Sequence, residues 1–200
     1  MAYTDFTLDT IEEKFGIQNQ IKSLFDVPKS VAPSDWLLTC LDNAKDLPVR
    51  SEKARSEMIV TPILVELRNR NDKYFTIYSG DSLNVDEKQG LKGECDFILT
   101  KNTGSFNINY PIFQIVEAKK NDIELGISQC VAQLIGAKIF NKNKGIDLKY
   151  IYGCVTTGKE WQFICLNDNV LIDDKTYNLV QLNELLGVFQ EIIDYYKATL

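Results

Sequence analysis

The clearest signal in the chain is an apolar run, Ile112-Phe113-Gln114-Ile115-Val116, that ends in Glu117, Ala118 and Lys119. A short run rich in β-branched and aromatic residues predicts a buried strand. Side chains alternate between the faces of a strand, so Glu117 and Lys119 share one face at its end. A carboxylate and an ammonium are costly to desolvate there unless they pair or bind something.

The remaining elements follow from the same patterning. Thr7 caps a short helix through Phe15, closed by Gly16, with Leu8, Ile11 and Phe15 on one stripe. Ser34 caps a second helix from Trp36 to about Ala44, ended by Pro48. Ser51 opens a longer one whose first turns are polar and which is apolar nearly all round from Met58, with Pro62 expected to kink or split it. Tyr74–Tyr78 reads as a strand and Gly80-Asp81 as a turn or bulge. Residues 90–100 read as a second strand, with Glu94, Asp96 and Ile98 on one face and Cys95, Phe97 and Leu99 on the other.

The strand ending at Lys119 comes next, and Asp122 leads a helix to about Phe140. Ile127, Val131, Leu134 and Ile135 form its apolar stripe, while Gln129 and Gln133 stack on a different face. Lys149–Thr156 and Trp161–Leu166 form strands on either side of a hairpin turn at Gly158-Lys159. Apolar residues from Leu182 to Tyr196 predict an amphipathic helix packed on the sheet rather than a dimer seam. The fold class is therefore α/β: helix, three strands, helix, two strands, in a mixed sheet with helices on both sides. One domain spans 1–200, with a helical cover over 1–48, a core over 51–166 and a C-terminal helix over 180–198.

Composition narrows the chemistry. The chain has no histidine, which removes Ser-His-Asp and Cys-His hydrolases and HExxH metalloproteases. Its five cysteines form no CxxC pair and sit in apolar stretches, as small reduced core residues do. No apolar run reaches the roughly 20 residues of a membrane span, and the N-terminus lacks a signal-peptide pattern, so the expectation is a cytoplasmic protein with no membrane partner. The net charge is −6, but it is uneven. Residues 1–47 hold eight acidic and four basic side chains, and residues 166–200 hold six and two. The middle, 48–165, holds sixteen basic and fourteen acidic side chains, so the centre can face a polyanion.

The Glu-x-Lys spacing carries no weight alone. Glu12/Lys14, Asp86/Lys88, Asp147/Lys149 and Asp173/Lys175 repeat it. Only Glu117/Lys119 ends an apolar strand, follows a strand carrying Asp96 and precedes a helix with paired glutamines. If those strands are neighbours, Asp96 and Glu117 converge at one sheet edge. Two carboxylates there suit Mg²⁺ or Mn²⁺, which take oxygen ligands and retain waters. The competing reading is a structural ion pair. Lys138, Lys142, Lys144 and Lys149 read as a solvated helix end more readily than as a phosphate track, and Trp161 and Phe163 as core.

Over residues 51–166 this arrangement resembles the PD-(D/E)XK nuclease superfamily, with its restriction-endonuclease-like αβββαβ core. The residues that carry the resemblance are Glu57 on its helix, Gly93-Glu-Cys-Asp96, Ile115-Val-Glu-Ala-Lys119, and Gln129 and Gln133. Glu52-Lys-Ala-Arg-Ser-Glu-Met-Ile-Val-Thr-Pro62 and Val155-Thr-Thr-Gly-Lys-Glu-Trp-Gln-Phe163 look like segments of the N-terminal nuclease domain of type I restriction enzyme R subunits and of stand-alone relatives. Cys95 rather than proline precedes Asp96, and Ala137 stands where RecB-type exonucleases have a tyrosine after Gln133. The resemblance implies a Mg²⁺-dependent (or Mn²⁺-dependent) nuclease acting on nucleic acid, DNA in the first instance, with a homodimer or partner subunit left open. Asp96, Glu117 and the Ala118 carbonyl would hold the metal, and Lys119 would position or activate water. Glu57 would reach the metal through water or serve a second ion, with Glu52 its rival. Gln129 or Gln133 would orient Lys119 or touch phosphate. The alternative is a catalytically inactive nuclease-like binding or assembly module of a restriction or defence system.

Overall fold

A computed structural model describes residues 1–120 and 122–200 of the chain. The helices are α1 (Leu8–Phe15), α2 (Asp35–Lys45), α3 (Glu52–Arg55), α4 (Thr61–Arg70), α5 (Ile123–Asn143) and α6 (Leu182–Thr199). The strands are β1 (Asn19–Ile21), β2 (Phe75–Ser82), β3 (Glu94–Lys101), β4 (Ile112–Ala118), β5 (Ile151–Thr156), β6 (Glu160–Leu166) and β7 (Val170–Asn178). All seven form one mixed sheet in the order β1-β7-β6-β5-β4-β3-β2.

The centre of the sheet is the parallel pair β4–β5, flanked by antiparallel neighbours. A parallel pair needs a crossover, and α5 supplies it. α5 lies on β4, β5 and β6, with α1 and the N-terminal turn against it. Gly153 of β5 abuts Cys130 and Leu134 of α5, whereas the adjacent Tyr152 stacks near Phe25, Tyr195 and Tyr196. Neighbouring residues of a strand face opposite ways, so α5 and α6 cover opposite faces.

β4 is buried along its whole length and is tied to α5 at both ends. At its start Asn141 accepts the Ile112 N–H (2.7 Å) and donates to the Ile112 carbonyl (2.6 Å). Between Ile112 and Gln114 the pairing with β3 slips by one residue, leaving Phe113 as a bulge. Phe113 packs on Tyr196 of α6, ring centroids 4.7 Å apart, while Glu117 meets the glutamines of α5. Strict alternation would have put Phe113 and Glu117 on one face; the bulge resets the phase.

Several expectations need correcting. β1 and β7 were not foreseen. β1 is three exposed residues paired parallel to β7, and it draws the 1–48 segment into the sheet rather than leaving it a helical cover. Gly80-Asp81 does not end β2. The strand keeps its register with β3 from Phe75 to Ser82, with Gly80 at φ 70°. The split expected at Pro62 is present, as a wider turn rather than a gap. Between α3 and α4 the backbone makes a π turn, Ser56–Val60, in which the Thr61 N–H reaches back to the Ser56 carbonyl. Proline has no N–H and clashes with the carbonyl four residues back. The wider turn sets Pro62 at the start of α4, where neither matters. One helix, α5, does have the length and apolarity of a membrane span. It is a core helix here, with Gln129, Gln133 and Asn141 buried against the sheet.

The other core expectations agree with the structure. Trp161 and Phe163 are fully buried, edge-on to Phe189 of α6. Cys95, Cys130, Cys154 and Cys165 are buried free thiols, and Cys40 is half-buried. Lys138 donates to the Asn167 carbonyl, while Lys144 and Lys149 lie over tyrosine rings.

Two polar core residues yield predictions. Gln114 is fully buried and both its amide atoms lack partners among the described residues. An unpaired buried amide loses its hydration without return, so Gln114→Leu is expected to stabilise the fold by about 1–2 kcal/mol in urea unfolding. A fall in stability would show that the amide is paired through ordered water. Glu66, also buried, accepts from the Ser34 N–H (3.1 Å) and hydroxyl (2.6 Å) and from Arg70 (2.9 Å). Burial pushes its carboxyl up, but the bonds from Ser34 and the Arg70 charge outweigh that and hold it below the ordinary range. A carboxyl lowered on folding adds stability above its unfolded pKa and loses it as pH falls through the folded one. The gap in stability between parent and Glu66→Gln should therefore be full at neutral pH and narrow on acidification below the usual glutamate range, read from urea melts across pH.

Candidate active site

The start of β3 and the end of β4 lie at the same edge of the sheet because the two strands are antiparallel. Phe97 pairs with Val116, so one step further Asp96 stands opposite Glu117. The two carboxyl groups share that step, and the Ala118 N–H donates to Asp96 Oδ2 at 2.7 Å. Glu117 is 3% exposed. Its Oε1 accepts from Lys119 Nζ (2.9 Å) and from the Gln129 amide, and its Oε2 from the Gln133 amide (2.9 Å). Lys119 also donates to Gln129 Oε1 (2.8 Å). The sequence-derived residues Asp96, Glu117, Ala118, Lys119, Gln129 and Gln133 thus come together.

The electrostatics follow from this crowding. Burial raises the Asp96 carboxyl, opposed by the Ala118 N–H and the Lys119 charge. Burial raises Glu117 as well, followed by the charge of Asp96, against lowering by Lys119 and Gln133. The pair therefore binds one proton more readily than ordinary carboxylates do, as two acids in one site must. Burial lowers Lys119, but Glu117 and Asp96 outweigh it and hold the side chain as an ammonium. With both acids ionised, one ammonium faces two carboxylates, and the excess negative charge is what a bound cation would neutralise. Gln133 Oε1, fully buried, has no partner among the described residues. Paired carboxylate oxygens fit a hard divalent ion that keeps several waters. Among the described residues no third Asp, Glu, Cys or His completes a protein-only cage.

Glu57 is not part of this group. It is exposed and pairs with Lys53 at 3.9 Å. Glu52, its rival, is closer: its Oε1 accepts the Lys120 N–H (3.0 Å), and its charge is felt by both Asp96 and Lys119. Glu57 lies inside the π turn, which breaks the 3.6-residue count, so helical spacing could not decide between them.

Two contributors escaped the sequence reading. Gly126 lies one turn before Gln129, and a Cβ there would come within 2.4 Å of Val155 Cγ1 and 2.9 Å of Lys119 Cγ. Its missing side chain lets the Lys119 stem lie against α5. A glycine inside a strong helix pattern was the available clue. Arg55 donates from Nη1 to the carbonyls of Lys119 (3.4 Å), Lys120 and Thr157 (3.2 Å). Carbonyl partners have no sequence signature. A cleft of about 1250 Å³ lies on the far side of Arg55 and Thr157, between α2, the π turn and the start of α6, and the carboxylates are not among its lining.

A scan against protein-family models finds no match for the chain, and a search of curated proteins finds none either.

Proposed function

We propose that this protein is a Mg²⁺-dependent nuclease that hydrolyses DNA phosphodiester bonds, and that its sheet is a restriction-endonuclease-like core. The observation that carries the reading is the convergence of Asp96, Glu117 and Lys119 on one sheet edge, with Gln129 and Gln133 closing over Glu117. Asp96 and Glu117 would hold the ion, with the Ala118 carbonyl and Gln133 Oε1 as further oxygen donors. When bound, such an ion polarises a phosphoryl oxygen and makes water a competent nucleophile near neutral pH. Lys119, held as an ammonium, contributes charge toward a phosphoryl group and orients an attacking water rather than accepting its proton. Gln129 fixes both Lys119 and Glu117, so the ammonium and the carboxylate keep one geometry. The surplus of basic over acidic side chains across 48–165 favours a polyanionic substrate.

The test is cleavage of supercoiled plasmid and single-stranded DNA with Mg²⁺ or Mn²⁺, alongside melting with and without each ion. The parent should cut, and divalent ions should raise its Tm. Asp96→Asn should lose both effects. Absence of metal stabilisation, cleavage and salt-sensitive DNA binding in the parent would leave the inactive binding-module alternative.

A further inference from the structure

We infer that Glu52 and Arg55 form a two-point clasp that positions Lys119, an inference that rests on the nuclease reading. The last paired residues of β4 and β5 are Ala118 and Thr156. Lys119, Lys120 and Thr157 lie beyond that ladder, where the backbone has fewer partners to hold it. Two side chains of one helical turn supply them. Glu52 accepts the Lys120 N–H, and Arg55 Nη1 gathers the carbonyls of Lys119, Lys120 and Thr157. The Lys120 residue is thus gripped at both its N–H and its carbonyl. The Lys119 N–H is separately bound to the Thr156 carbonyl at 2.7 Å.

The grip matters because Lys119 must meet Glu117 and Gln129 from a residue that has already left the strand. An ammonium on a four-carbon stem adapts to backbone drift. Without the clasp its charge would spread over several positions instead of one. A guanidinium suits the task, since it stays charged and presents donors in a rigid fork. Arg55 touches neither carboxylate, so it is a positioning residue and acts through the Lys119 backbone. The π turn begins at the next residue, Ser56. α3 thus sits immediately before a π turn, a feature common at functional sites, and its side chains reach the strand end.

The experiment compares the parent with Arg55→Ala, Arg55→Lys and Glu52→Gln in two assays. Amide hydrogen exchange reads residues 117–120 without reference to activity. Arg55→Ala should speed exchange at Lys119 and Lys120 at least tenfold while the α5 amides stay protected. Steady-state cleavage with Mg²⁺ should show kcat reduced tenfold or more with KM within about twofold. Arg55→Lys should recover only part of both effects, and Glu52→Gln should mainly affect Lys120 exchange. Unchanged exchange at 117–120 overturns the clasp. A raised KM at constant kcat also overturns it, because Arg55 would then be gripping substrate. If Arg55→Ala fails to fold, Arg55→Lys and Glu52→Gln decide by the same readouts. A parent that cuts nothing defeats the nuclease reading instead, and the exchange assay alone then decides the clasp.

Discussion

Lys119→Met is expected to lower Mg²⁺-dependent cleavage by roughly 10²–10³-fold, the usual loss when one charge-stabilising donor is removed from a site. Methionine keeps the length of the stem and its packing on Gly126 but removes the ammonium. The fold should survive, because Glu117 retains its bonds from Gln129 and Gln133. The loss should therefore appear in kcat with the unfolding midpoint little changed. A variant that cuts as well as the parent would remove Lys119 from the chemistry and with it the proposed mechanism. A large drop in stability would recast Lys119 as the charge partner that makes Glu117 tolerable in the core.

The second large effect is expected from Gly126→Ala. The added methyl would meet Val155 at 2.4 Å and Lys119 Cγ at 2.9 Å. Val155 is fully buried between Glu117 of β4 and Gln162 of β6 and has nowhere to retreat. The start of α5 must lift instead, and Gln129 sits one turn along it. Overpacking of this kind costs about 1–3 kcal/mol. Cleavage should fall as well, since Gln129 joins Lys119 to Glu117. Chemical denaturation gives the first quantity and kcat the second. A variant of parental stability and rate would mean that the helix accommodates the methyl without disturbing the glutamine contacts.

How much of this was legible beforehand depends on which interaction fixed each element. β4 and α5 could be read because burial imposes a period on their side chains, and the caps Thr7, Ser34, Ser51 and Asp122 all accept the backbone bonds their types suggest. β7 was hidden because its apolar start, Val170–Ile172, runs into Asp173, Asp174 and Lys175. Asp173 is nonetheless buried, accepting from the Leu24 N–H and the Tyr177 hydroxyl. β1 has no buried side chain to pattern and is held by backbone pairing alone. In the site, the side-chain pairs announced themselves through residue type. Arg55 did not, because what it binds is main chain. Residue type could not separate Glu57 from Glu52, because the side of the helix that meets the strand is set by the π turn and by the reach of Arg55.

The bulge at Phe113 also bears on how this chain tolerates insertion and deletion. The connection from Thr103 to Tyr110 lies outside the ladder, so a residue gained or lost there would leave the carboxylates where they are. Removing Phe113 itself would cancel the bulge without moving the site, because Ile112 already pairs with Thr100 and Gln114 with Leu99. Removing one residue within Gln114–Val116, with β4 still anchored at Ile112 by Asn141, would instead turn everything after it to the other face. Glu117 would then point toward α6, away from both glutamines and out of line with Asp96. At this point the site is encoded in the length of the strand as much as in the identity of its residues.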